Sequence, residues 1–309
     1  MKNAIVLGAT GGMGFALVNE LVSREVKVTA FARNERKLKD LYGGNKQINI
    51  FPGNAFNEEN LVQAVEGNDV IFHAINLPYG DWRTNLPVLT KNIIHSAKVH
   101  SAKLAIVDNI YSYGKNPGNK VRELTTKNPH TKKGKVRLEM ESLYNSSNVP
   151  TIIAHFPDFY GPHVESSLLG FTLNKMIENK QAQFVGNKSI PREHLFTPDG
   201  AEALVNLAMN DNSYNQNWNI PATDVITGEE IISIIRQLTN NYKKVSTVTR
   251  NMLRLVGLFN KQMREFVEMQ YLNEDPVVLS GEKYEKYIGP LPKTPYKEGI
   301  KATIEARKS

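Results

Sequence analysis

Glycines at 8, 11, 12 and 14 interrupt the chain directly after the uncharged run Ala4-Ile5-Val6-Leu7, and an apolar period begins at once with Met13, Leu17 and Leu21. That order predicts strand, glycine turn, helix. Without Cβ atoms the turn lets a phosphate approach the backbone closely. A helix starting there aims unpaired N–H groups and the positive end of its dipole at the anion. The expected chemistry is capture of a pyrophosphate by Gly8, Thr10, Gly11, Gly12, Met13 and Gly14. The spacing Gly8-x-x-Gly11-x-x-Gly14 is not the Gly-x-Gly-x-x-Gly of the dehydrogenase fingerprint, so its weight comes from its surroundings.

Those surroundings are alternating strands and helices. Residues 26–31 alternate and are β-branched, which predicts a second strand ending at Ala32-Arg33. The ribose of a dinucleotide's adenosine lies at such a strand end. An acidic residue there would favour NAD, whereas the guanidinium fork of Arg33 suits a 2′-phosphate and predicts NADP, with NAD possible. A short strand at 47–51 leads to Gly53-Asn54-Ala55, with Asn54 placed over the adenine edge and Ala55 beside it, and a helix follows at 58–65. Residues 69–74 read as a fourth strand whose carboxyl end delivers Ala74, Ile75 and Asn76, where an open α/β sheet places its ligand. His73 reads as a packed strand residue.

A helix at 85–102 precedes a fifth strand at 103–107, which runs into Asp108-Asn109-Ile110-Tyr111-Ser112-Tyr113-Gly114. A polar loop and a helix at 134–143 follow, with Lys135 and Glu139 on one face at (i, i+4) spacing. The sixth strand, 151–156, ends at Pro157 on the cofactor edge. The alternation predicts a doubly wound parallel α/β sheet of the Rossmann type over residues 1–157. Beyond it the rhythm changes, with helices at 199–209 and 228–239 and a mixed segment at 250–270. Residues 158–309 therefore read as a smaller, mostly helical C-terminal lobe, some of whose segments may return to the sheet. The apolar run 252–259 is expected to pack within the core or that lobe rather than lie on a membrane.

With 309 residues, 40% of them hydrophobic, the chain has ample material for a core. The absence of cysteine removes disulfides, thiolate zinc sites, iron–sulfur clusters and thiol nucleophiles. The seven histidines show no close pair at ligand spacing, so no metal is expected. A net charge of +7 is scattered without an aromatic-interleaved patch, which argues for an anionic small ligand and against nucleic acid. No run reaches the length of a membrane helix and the chain opens on a core strand, so a cytoplasmic location and no membrane partner are expected.

Gly8-Ala9-Thr10-Gly11-Gly12-Met13-Gly14, the strand 69–74, Tyr113-Gly114, Phe159-Tyr160-Gly161-Pro162 and Phe196-Thr197-Pro198-Asp199-Gly200-Ala201 together resemble the extended short-chain dehydrogenase/reductase family. The resemblance is closest to its NAD-dependent epimerase/dehydratase branch and spans nearly the whole chain. It implies a Rossmann domain carrying NAD or NADP, a C-terminal substrate lobe and a possible homodimer through the helices near 85–102 and 134–145. Chemistry is implied by a Tyr-x-x-x-Lys pair with a Ser or Thr on the fifth strand. The lysine lowers the tyrosine pKa so that the phenolate takes a proton as hydride moves, or the phenol returns it.

The chain departs from that pattern twice. Aligning through Lys135 and Glu139 leaves Thr131 where the family has tyrosine, and counting back from Tyr113-Gly114 puts Asn109 at the Ser/Thr position. The string Tyr111-x-x-x-Lys115 lies in a turn, where the two side chains share no helical face. One expectation is an oxidoreductase or epimerase acting on a small carbonyl or hydroxyl compound or a nucleotide sugar. In it Tyr111 or Tyr160 replaces the missing tyrosine, Asn109 stands nearby and Lys135 holds the nicotinamide ribose. The alternative is a catalytically silent NAD(P)-binding regulator of the atypical branch.

Overall fold

In the computed structural model, which describes residues 1–116, 118–164 and 167–308, β1 (Asn3–Leu7) lies inside a seven-stranded sheet. The Rossmann half continues through α1 (Gly12–Ser23), β2 (Lys27–Ala32), α2 (Glu35–Tyr42), β3 (Ile48–Pro52), α3 (Glu58–Val65) and β4 (Val70–His73). It is completed by α4 (Trp82–His100), β5 (Lys103–Asn109), α5 (Lys132–Asn145) and β6 (Thr151–Phe156). Both faces of the sheet are covered, which is why β1 is apolar without alternation. Ala4 and Val6 pack with Leu17 and Leu21 of α1, while Ile5 and Leu7 pack with Leu61 of α3 and Leu89 and Ile93 of α4.

The remaining elements are β7 (Asp158–Tyr160), α6 (Leu168–Ile177), β8 (Ala182–Val185), β9 (Arg192–Phe196), α7 (Thr197–Met209), β10 (Gln216–Asn219), β11 (Val225–Ile226) and α8 (Gly228–Thr239). Then come β12 (Val245–Val248), α9 (Arg250–Phe259), α10 (Lys261–Val267), α11 (Tyr271–Glu274), α12 (Glu282–Tyr287) and α13 (Tyr296–Glu305). The main sheet runs β10-β6-β5-β4-β1-β2-β3 with every pairing parallel. Strand order reverses between β1 and β4, and the crevice outside their carboxyl ends is where such a sheet holds its ligand.

Two segments of the C-terminal half return to the Rossmann layers. Helix α7 packs on α1, and β10 adds a seventh strand beside β6. Sequence patterning misses β10 because Gln216-Asn217-Trp218-Asn219 is polar and does not alternate. Its polar groups are satisfied from neighbouring segments: Asn219 Nδ2 donates to the Val121 carbonyl at 2.9 Å, Tyr113 Oη donates to Asn219 Oδ1 at 2.8 Å and Trp218 Nε1 donates to the Ser213 carbonyl at 2.9 Å. The lobe is less purely helical than its sequence rhythm suggests, since it holds the sheets β11-β9-β7 and β12-β8.

The run 252–259 forms α9 as a helix, but it does not pack inside. Leu253 and Gly257 are buried, whereas Met252, Leu255, Val256, Leu258 and Phe259 face solvent. No helix among the described residues is long and apolar enough to cross a membrane.

Candidate active site

The glycine turn is shaped by close approaches that no side chain could share. Gly8 has φ +86°, and a Cβ there would lie 2.9 Å from the Ala74 carbonyl. A Cβ on Gly14 would lie 2.1 Å from the Gly8 oxygen. These two absences seat α1 tightly on β1 and β4. Helix α1 begins at the Gly11 N-cap with no side-chain acceptor for its first amides, so the N–H groups around Gly12, Met13 and Gly14 form a cradle with anion-binding chemistry. The Met13 side chain itself is buried in the core. On the outer side the loop after β7 presses down: a Cβ on Gly12 would fall 2.3 Å from Val164 Cγ2, and the His163 ring lies 4.1 Å from that of Phe15. These residues fit the pyrophosphate of a dinucleotide.

Arg33 is exposed just beyond β2, and Ala55 is buried. Asn54 is held as a turn residue: its Oδ1 accepts from the Phe56 amide at 3.2 Å and its own amide donates to Asn60 Oδ1 at 2.9 Å. Ala74 and Ile75 are half-buried at the end of β4, Asn76 is exposed and Pro157 is buried.

At the carboxyl ends of β4 and β5 the chain builds an aromatic cage. Tyr79 and Tyr111 share a hydroxyl–hydroxyl bond of 2.6 Å. Trp82 stands edge-on to Tyr79, with centroids 5.0 Å apart, and stacks on Tyr111 at 5.9 Å. Phe266 of α10 lies parallel to Tyr79 at 6.4 Å. The Arg137 guanidinium sits 4.2 Å from the Trp82 ring centroid, and its Nη1 is 3.3 Å from the Asp108 carboxylate, with both groups buried. Arg137 Nε is a buried donor with no hydrogen-bond partner. Burial pushes Tyr79 up to about 12 and Tyr111 well above the usual phenol value. Both stay protonated at neutral pH. Burial, with the Arg137 charge second, pushes His73 down to about 3, so it is a neutral packed residue.

Helix α5 settles where the residues aligned with the family pair stand. Thr131 is its N-cap, with Oγ1 accepting from the Gly134 amide at 3.0 Å. A Cβ on Gly134 would lie 2.5 Å from the Tyr111 carbonyl, so the helix rests directly on that turn. The inward face carries Lys133, Val136, Arg137 and Met140, whereas Lys135 is exposed. The expected placement of Lys135 toward the cleft is corrected by helical period: positions 133 and 137 share a face and 135 stands nearly opposite. Lys133 pairs with Glu265 and, at 3.2 Å, with Glu268, tying α10 over the cage. Lys115 pairs with Asp275 at 3.6 Å, away from Tyr111.

Asn109 Oδ1 accepts from the Tyr111 amide at 3.0 Å and so fixes the turn that presents Tyr111. Tyr160 is elsewhere. It packs in the lobe core against Phe196 and Tyr296, and its Oη has no partner, which corrects its expected place at the cleft. Between cage and lobe lie Asp158 on β7 and Arg192 and His194 on β9. Burial raises the Asp158 carboxyl, opposed by Arg192, and holds His194 at about 3. Sequence reasoning missed Tyr79, Trp82 and Arg137. The signal for the last was its (i, i+4) spacing from Lys133, two residues out of the family register.

Residues 8–154 match the family model described as NAD(P)H-binding. Among curated relatives, the oxidoreductase OrdB of Dothistroma septosporum is 34% identical over 94 residues, covering 29% of this chain and 33% of that protein. The 2-alkyl-3-oxoalkanoate reductase of Shewanella oneidensis is 29% identical over 117 residues, covering 38% and 29%. The matches thus span about a third of those relatives. Among solved structures, UDP-glucuronic acid 4-epimerase from Bacillus cereus superposes with a TM-score of 0.80 at 16% identity, covering 99% of this chain and 98% of that one. The dTDP-glucose 4,6-dehydratase of Bacillus anthracis gives 0.81 at 18%, covering 100% and 97%. Both were solved with NAD. At these identities the likeness is one of fold.

Proposed function

We propose a reaction for a chain whose residues 8–154 match the NAD(P)H-binding family model and whose whole length superposes on the fold of a UDP-glucuronic acid 4-epimerase and a dTDP-glucose 4,6-dehydratase. It is an NAD(P)-dependent oxidoreductase or epimerase of a small carbonyl or hydroxyl compound or a nucleotide sugar, with NADP preferred. The observation that carries this reading is the Tyr79–Tyr111 hydroxyl pair packed on Trp82, over whose ring the buried Arg137 guanidinium lies.

The amides of Gly12, Met13 and Gly14 at the start of α1 hold the pyrophosphate, with Gly8, Thr10 and Gly11 shaping the turn beside them. Arg33 takes the 2′-phosphate, Asn54 and Ala55 border the adenine, and Ala74, Ile75, Asn76 and Pro157 border the nicotinamide end. The bound cofactor supplies or accepts hydride. Tyr111 Oη gives its proton to the substrate oxygen and is reprotonated by Tyr79 Oη at 2.6 Å, and Tyr79, which is only partly buried, recovers its proton from solvent. Arg137 stabilises the negative charge that grows on that oxygen. Because burial keeps both phenols protonated, the pair can supply a proton to a carbonyl oxygen in the reducing direction.

A second reading is favoured by a specific observation. Thr131 is engaged as a cap and Lys135 faces outward, so no tyrosine–lysine pair forms at the family positions, as in a cofactor-responsive regulator. Titration with NADPH together with turnover on aldehydes, ketones and nucleotide sugars separates the two. NADPH binding with turnover that Tyr111→Phe removes supports the enzyme; binding without turnover on any of them supports the regulator.

A further inference from the structure

The 34 residues from 231 to 264 contain no carboxylate and seven basic residues, among them Lys243, Lys244, Arg250, Arg254, Lys261 and Arg264. Helix α9 lies within this run with its apolar stripe reversed. Met252, Leu255, Val256 and Phe259 follow the i, i+3, i+4, i+7 period of one helical face, and with Leu258 they are exposed, Leu258 by 70% and Phe259 by 93%. Tyr242, exposed by 68%, sits just upstream. The inner side is already taken. A Cβ on Gly257 would lie 3.1 Å from Arg264 Cα, so α10 is pressed against α9 there. The nearby carboxylates are spent on paired cations: Glu265 and Glu268 on Lys133, and Glu274 on Arg250 at 3.1 Å.

We infer that the outer face of the α9–α10 hairpin docks on an anionic phospholipid bilayer. Monomeric soluble proteins rarely leave a contiguous apolar stripe of this kind open. A helix with a large apolar face flanked by arginine and lysine lies in the plane of a lipid interface, its apolar side sunk into the headgroup–acyl boundary. Charge complementarity selects the occupant. Helix α9 carries no carboxylate and the Glu265 of α10 is held by Lys133, so the basic face gains from each anionic headgroup it meets, whereas a second copy of the same basic face would repel itself. The α9–α10 hairpin also stacks Phe266 on Tyr79, but the docking stands independently of the reaction assigned to the cage.

Sedimentation of the full chain with phosphatidylcholine vesicles and with phosphatidylcholine–phosphatidylglycerol vesicles tests it. The expected result is pelleting with the anionic vesicles alone, weakened by salt, and a drop in partition of about a hundredfold for Leu255→Gln/Leu258→Gln/Phe259→Gln. If that triple variant does not fold, Phe259→Gln alone, at the most exposed position, should still lose about tenfold. Three results would overturn the inference: no pelleting of the unmodified chain, equal pelleting of chain and variant, or self-association that the substitutions dissolve in the absence of any lipid binding.

Discussion

The hydroxyls of Tyr79 and Tyr111 meet at 2.6 Å on the carboxyl edge of the sheet, and the two residues come from different connections, one after β4 and one after β5. In the proposed reaction a proton given up by Tyr111 is replaced from Tyr79, which carries the phenolate charge until it takes a proton from solvent. Removing the Tyr111 hydroxyl by Tyr111→Phe should lower kcat for carbonyl reduction by about two orders of magnitude. Tyr79→Phe should cost less, since Tyr111 keeps its own proton. Tyr160→Phe and Lys135→Met should leave turnover near that of the parent, because the first side chain is enclosed in the lobe core and the second faces solvent. Steady-state kinetics on one accepted carbonyl substrate decides; an intact rate in Tyr111→Phe would remove the proposed donor.

Arg137 and Asp108 form a buried ion pair at 3.3 Å. Breaking one side of such a pair costs about 3–5 kcal/mol, because the remaining charge stays desolvated. Arg137→Met should therefore destabilise strongly, and adding Asp108→Asn should recover part of the loss. Urea denaturation of the two single variants and the double variant completes the cycle. Additive losses would mean that the pair is not coupled.

The glycine turn makes a prediction that separates packing from binding. Gly14→Ala puts a carbon 2.1 Å from the Gly8 oxygen, which forces α1 away from β1. A loss of about 1–3 kcal/mol in stability and a collapse of NADPH affinity should appear together. Arg33→Asp, on an exposed strand end, should leave stability unchanged and move preference from NADPH toward NADH. Isothermal titration with each nucleotide reads both, and equal affinities in the unmodified chain would count against Arg33 as a 2′-phosphate ligand.

The parallel sheet was legible in sequence because the central strands β1 and β4 are apolar and buried, and β2, β3, β5 and β6 recur as short apolar or β-branched runs between helical periods. Helix α3 runs over 58–65 and α8 over 228–239, where Asn57 and the Thr227–Glu230 capping box set the starts. Strand β10 was not legible, since its polar side chains find partners only in tertiary structure. The proposed catalytic end was legible in its backbone positions but not in its side chains. Family register pointed to Thr131 and Lys135, yet the start of α5 at Lys132 turns Lys133 and Arg137 inward. Tyr79 carried no sequence signal at all, because its role depends on a contact with a residue 32 positions away.

Glu193 gives the pH dependence its clearest handle. It is buried on β9, its Oε1 accepting from the Ala222 amide at 3.1 Å and its Oε2 from the Leu279 amide at 2.8 Å. Burial raises its pKa to about 7 despite those two donors. A carboxyl raised in the folded state above its unfolded value of 4.5 favours folding while protonated. That contribution is complete below about pH 4.5 and is lost as pH rises through about 7. At about 1.4 kcal/mol per pKa unit the loss amounts to roughly 3 kcal/mol. In Glu193→Gln the group cannot ionise, so the stability of the parent relative to this variant should fall by that amount between pH 4.5 and pH 8. Denaturation curves for the two proteins across that range test the assignment. Parallel pH profiles would show that Glu193 ionises in the folded protein as readily as in the unfolded chain, and that Leu279 and Ala222 hold a carboxylate rather than an acid.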